Sequence, residues 1–228
     1  MWYPLYVLIV LILVVGALIR KSIARGSLEV THKEREERGS DKVLYLRSFK
    51  LDGKGMVGTN MDMFENLNLL PPELDLAKAL IKYDFHLITV GRPGQEIPDI
   101  GFDRKYFGED VWHEEVIKLI NESVLIIYRP DTSDAILWEF EQVIKNKAID
   151  KLLIWADMGY NVNVALNRAR YHIFQKKALQ RLQEELPEFD KWKIWIALDE
   201  EGYWEGFSGL KFKTIPAFKR ATANKKPS

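Results

Sequence analysis

The sequence predicts an α/β fold: a parallel sheet of about five strands, covered by helices on both faces and preceded by one membrane-spanning helix. Three observations predict it. Short apolar runs alternate with helical patterns along the chain. Those runs are apolar on both faces, as strands buried between two layers must be. Finally, residues Met1 to Ile19 carry no charged side chain, and Arg20, Lys21 and Arg25 follow.

At the helical rise, that first stretch is roughly 28 Å long, close to the hydrocarbon thickness of a bilayer. No basic segment precedes it and no small-residue cleavage site follows, so a cleaved leader fits less well than a single-pass anchor over 1–20. Trp2, Tyr3 and Tyr6 suit one interface and the basic cluster the other. Positive charge on the C-terminal flank places the N-terminus outside and the remaining chain in the cytoplasm, at the cell membrane. Residues 21–41, dense in Glu29, Lys33, Glu34, Arg35, Glu36, Glu37 and Arg38, read as a solvated, partly helical linker.

The domain expected over 42–215 contains five strand-like runs: Val43–Phe49, Phe85–Val90, Val124–Tyr128, Leu152–Trp155 and Ile194–Leu198. Their β-branched and aromatic content favours strands. Pro71-Pro72 starts a helix over Glu73–Tyr83, with Leu76, Leu80 and Tyr83 at helical spacing. Glu109-Asp110 opens a second over Val111–Asn121, and Asp134 caps a third over Ala135–Asn146. A longer helix fills Ala165–Glu185 and stops before Pro187, and Tyr203–Phe212 adds a short strand or hairpin. Residues 216–228 read as a basic disordered tail.

Composition narrows the function. Lysine and arginine number 33 against 33 acidic residues, so no global field favours nucleic acid. The absence of cysteine excludes disulfides, thiolate metal sites and cysteine nucleophiles. The four histidines (His32, His86, His113, His172) lack metal-ligand spacing, so no metal is expected.

In open parallel sheets, ligands bind beyond the carboxyl ends of the strands, where the strand order reverses. After the first strand, Arg47-Ser48-Phe49 leads into a loop with Gly53, Gly55 and Gly58. It lacks the phosphate-loop signature and, by its glycines alone, is a flexible loop. After the second, Gly91-Arg92-Pro93-Gly94 continues to Asp103-Arg104. A rigid loop bearing Arg92 and Arg104 suits an anion or a partner surface, and an internally salt-bridged loop explains it equally well. After the third strand, Trp138 and Glu139 lie on the second turn of a helix that starts at the presumed cleft. An acid there ordinarily just favours the helix dipole. Its expected convergence with Ser48 and Arg92 raises it to a site candidate.

Three segments then carry a family resemblance: "KVLYLRSF", "GRPGQEIPDIG" and "VLIIYRPDTSDAILWEFEQV". Together, over roughly residues 42 to 200, they resemble the Toll/interleukin receptor (TIR) domain superfamily, in particular divergent bacterial members behind a transmembrane helix. The family pattern of a strand, a serine, Trp-Cys, two residues and a Glu followed by Leu is met by Ser133, Glu139 and Phe140. Ala135 and Ile136 stand where Trp and Cys usually are. The resemblance implies a flavodoxin-like sheet of order 2-1-3-4-5. It also implies that Glu139, if the chain is enzymatic, cleaves the nicotinamide–ribose bond of NAD by offsetting positive charge on the ribose. Arg47, Ser48 and Phe49 would then border the substrate, with Trp138 or Phe49 on a ring and Arg92 or Arg104 on the pyrophosphate. NAD would be a substrate, with no cofactor. The alternative is a non-catalytic membrane-tethered scaffold, or a nucleotide-binding sensor, acting through self-association. The expected partners are membrane lipid, further copies of the chain and a nucleotide ligand.

Overall fold

The computed structural model describes residues 32–47, 72–91, 102–156 and 164–227. The expected anchor over 1–20 lies outside them. Among the described residues no helix is long and apolar enough to cross a membrane.

A seven-stranded, mostly parallel sheet runs β3-β2-β1-β4-β5-β6-β7. The strands are β1 (Lys42–Leu46), β2 (His86–Gly91), β3 (Asp103–Tyr106), β4 (Ser123–Tyr128), β5 (Leu152–Trp155), β6 (Trp195–Leu198) and β7 (Trp204–Phe207). All five expected strands are present, in the expected relative order. The first five strands in sequence pair in parallel, whereas β6 is antiparallel to both β5 and β7, so the sheet is mixed. Two strands join it at the edges. The hairpin partner β7 falls within the expected 203–212 segment. The other, β3, has the sequence DRKY and reads as loop because none of its first three residues is apolar. Short charged strands of this kind are what edge positions favour, since they discourage further pairing.

The period of two along each strand divides the core. Leu44, Leu46, Ile88, Val90, Ile126 and Tyr128 point to one face. There they meet α2 (Trp112–Glu122), α3 (Asp134–Lys145) and α4 (Val164–Leu182). Val43, Tyr45, Leu87, Leu125, Ile127, Leu153 and Trp155 point to the other. That face is covered by α1 (Pro72–Ile81) and α5 (Pro216–Thr222). Pro72 sits in the first turn of α1, where its missing N–H costs nothing. On α3, Ser133 rather than Asp134 holds the cap position, without a side-chain hydrogen bond. The Asp134 carboxylate instead reaches across to Lys177 and Arg181 at 3.6 and 3.9 Å.

One terminal expectation is corrected and the other refined. Residues 216–222 are helical, not disordered, and bury Pro216, Ala217 and Phe218 against the second face. Apolar side chains between the basic ones make this segment amphipathic, so burial outweighs its charge. Beyond it, Lys225 reaches Asp41 at 2.9 Å and lies over the Phe85 ring. The linker is partly helical and mostly exposed where it is described, but it is also docked on the domain. Residues 32–37 are helical, and His32 and Arg35 are buried.

This docking converges on Asp84, which adopts the left-handed conformation (φ 56°) in the turn after α1. Its carboxylate accepts hydrogen bonds from Arg35 Nε at 3.2 Å, Arg38 at 3.0 Å and the Ser40 hydroxyl at 3.3 Å. Arg35 also donates to the Ile81 carbonyl. On the opposite flank Lys105 of β3 reaches Glu36 at 2.7 Å. Arg35→Ala removes a buried side chain with its bonds to the exposed Asp84 carboxylate and the Ile81 carbonyl, and we expect a loss of about 0.5–1.5 kcal/mol in urea unfolding. Limited proteolysis should then cut first within 32–41; unchanged stability and cleavage would contradict the docking.

Candidate functional site

The strand order reverses between β1 and β4: the chain leaves β1 to one side for β2 and β3, then returns to its other side for β4. The carboxyl ends of β1 and β4 therefore form the rim where a crevice is expected.

Glu139 lies near this rim but does not face an open cleft. It is 2 % exposed, on the face of the sheet shared by Ile136, Phe140 and Tyr128. Its Oε2 has no hydrogen-bond partner among the described residues. Burial alone holds its carboxyl well above the usual range, which favours the protonated form. The neighbouring Tyr128 donates its hydroxyl to the Ile136 carbonyl at 2.8 Å. Burial, then the Glu139 and Asp131 carboxyls, raise the Tyr128 pKa as well.

Trp138 is likewise engaged. Its ring centroid lies 5.0 Å from that of Trp112 and 4.3 Å from that of His113, so it packs α3 onto α2. It offers no free stacking platform in this arrangement.

Arg47 and Arg104 belong to the opposite face. The Arg47 guanidinium stands over the Tyr45 ring at 6.0 Å. Arg104 is level with Thr89 on β3 and lies over Tyr106 at 5.9 Å. A Cβ at Gly91 would sit 2.5 Å from the Arg104 side chain, so glycine is what admits that arginine beside β2. The sheet thus separates Glu139 and Trp138 from Arg47 and Arg104. Ser48, Phe49 and Arg92, the remaining expected contributors, lie outside the described residues.

On the second face the rim carries a constellation that sequence reasoning passed over. The register aligns Tyr45 with Ile127 and Ile127 with Leu153. Two residues further on, Arg47, Arg129 and Trp155 therefore stand level across β1, β4 and β5. Arg129 pairs with Glu73 from the first turn of α1, and both are largely buried. Its guanidinium lies 5.2 Å from the centre of the Trp155 ring, which also stacks on Trp195. Burial pushes the Tyr45 hydroxyl up to about 12, against a smaller opposing pull from Arg129. The signal in the sequence is Arg129 itself, a cation directly after an apolar strand at the switch point.

A third group lies at the β2–β3 edge. Donor atoms of Glu36, His86 and Asp103 fall within 4.8 Å of one another, a spacing that could hold a metal ion. The Lys105 ammonium already bridges Glu36 and Asp103, at 2.7 and 3.0 Å. His86 Nε2 lies 2.9 Å from the same Asp103 oxygen. Burial would raise the Asp103 pKa, but the bonds to His86 and Lys105 outweigh it and hold it low. These ion pairs fasten the segment 32–38 to the sheet edge.

Comparison with protein-family models, with curated proteins and with solved structures finds no match.

The raised Glu139 pKa has a measurable sign. The folded protein binds this proton more tightly than the unfolded chain, so its contribution is full below about pH 4.3 and is lost as pH rises toward the folded value. Wild type should therefore lose stability relative to Glu139→Gln as pH rises from about 4.3 to neutral, read from urea midpoints. Parallel pH profiles would mean that Glu139 is solvated.

Proposed function

We propose that this chain is a membrane-anchored, TIR-like signalling or defence module that acts through self-association, with a flavodoxin-like domain on the cytoplasmic side. The observation that favours association over catalysis is Glu139. A carboxyl enclosed among apolar side chains is out of reach of a ribose and so is badly placed to offset positive charge developing on it. The docked 32–41 segment supports the same reading. It lies between the expected anchor and the sheet in sequence and is docked on the domain, so anchors gathered in two dimensions would bring domains together at high effective concentration.

A second reading, cleavage of the nicotinamide–ribose bond of NAD, draws on the same residue. Glu139 is the one fully enclosed acid among the described residues. A carboxyl kept in such a place against the cost of burial is often a functional one. On this reading assembly uncovers and ionises it, and residues such as Ser48 and Arg92 complete the site.

The full chain, reconstituted in vesicles at graded density and given NAD, separates the two. We expect density-dependent cross-linking and no nicotinamide release above that of Glu139→Gln. Release that falls on the order of 100-fold in a folded Glu139→Gln variant would establish the enzyme instead.

A further inference from the structure

One helix carries charge of a single sign. α4 holds Arg168, Arg170, Lys176, Lys177 and Arg181 and no acidic residue, in a chain whose 33 basic and 33 acidic residues balance. Lys177 and Arg181 reach Asp134 of α3. Arg168, Arg170 and Lys176 have no ion-pair partner among the described residues. Acids return only past the end of the helix, where Glu184 accepts the Trp204 indole N–H at 2.8 Å.

The side chains sort by face. At 3.6 residues per turn, Arg168, His172, Ile173, Lys176 and Leu179 fall within one arc of roughly 140°. All five are exposed. Tyr171, Phe174 and Ala178 take the other side and are buried against the sheet. Ile173 and Leu179, 45 % and 51 % exposed, are two of six large apolar side chains left exposed among the described residues. A single exposed apolar residue needs no explanation. Apolar tips set among cations, with no acid on the helix, match a helix lying on an anionic bilayer: the tips enter the headgroup boundary while the cations meet phosphate and carboxylate groups.

The tether makes such a surface the nearest one. Residues 21–31 separate the expected anchor from the docked segment and span at most about 40 Å, whatever their conformation. From His32 onward the chain is fastened to the domain and adds no slack.

We propose that the outward face of α4 seats the domain on the anionic leaflet of the membrane that holds the anchor, with Arg168 and Lys176 on the headgroups and Ile173 and Leu179 at the acyl boundary. The nearness of the bilayer rests on the anchored reading above; the chemistry of the face rests on α4 alone. Seated this way, the domain turns α1, across the sheet, away from the lipid.

The chain has no cysteine, so an introduced one places a single environment-sensitive fluorophore. Ile173→Cys labels α4, and Ala79→Cys labels an exposed position on α1. Each full chain is reconstituted in vesicles of phosphatidylcholine, with or without phosphatidylserine, carrying a lipid-borne quencher. We expect strong quenching at position 173 only where phosphatidylserine is present, and little at position 79 in either. Arg168→Glu combined with Lys176→Glu changes two exposed residues, so the thermal midpoint should hold while the docked population falls on the order of tenfold. Equal quenching of the two labels, indifference to phosphatidylserine, or quenching that survives the double substitution would overturn the seat. Extraction of the chain from neutral vesicles by alkaline carbonate would sink the anchor alone, since position 173 would still report on added anionic vesicles.

Discussion

The whole arrangement depends on the two-residue alternation of β1. This strand is central, paired with β2 on one side and β4 on the other, and its apolar residues are buried on both faces. Because successive side chains point to opposite faces, a single residue step moves a group from one chemical environment to another. Leu44 and Leu46 face α2, α3 and α4, of which α3 carries Glu139. Tyr45 and Arg47 meet the aromatic and basic cluster beneath α1. The rim at the switch point is therefore two half-sites with the sheet as a wall between them.

The two half-sites differ in how they treat charge. Around Glu139 the described neighbours are apolar or already committed: Tyr128 spends its hydroxyl on the main chain, and Trp138 stacks on α2. Burial there disfavours the ionised form of the carboxyl and raises its pKa. Around Arg129 the opposite holds. A buried guanidinium is matched by Glu73 and lies over the Trp155 ring. The first environment disfavours a charge; the second balances one charge against another.

The N-terminal segment connects these features to the expected anchor. Asp84 gathers two arginines and a serine in one left-handed turn, while Lys105 draws Glu36 and Asp103 together at the sheet edge. Individually such partly exposed pairs contribute little. Their value is geometric, since several short contacts on two flanks leave the segment one orientation against the domain.

What the sequence by itself determined was whatever follows from local pattern. The five buried strands, α1 behind its prolines and the ends of α2 and α3 to within a few residues are all written in the spacing of apolar side chains. So is the position of Glu139 one turn into α3. Where pattern is weak, it failed: the charged β3 read as loop, and the basic tail read as disordered, although amphipathic burial fixes 216–222; the docking of 32–41 by long-range ion pairs was not legible either. Tertiary structure alone decided which side of the sheet each candidate occupies, and so which groups can meet. Glu139 and Arg47 are both close to the rim in sequence, yet the pleat sets them apart. Tyr45, Glu73, Arg129 and Trp155 are scattered over more than eighty residues, yet strand register and one helix start bring them together. Contacts of that kind depend on register between distant strands, which no local window of sequence contains.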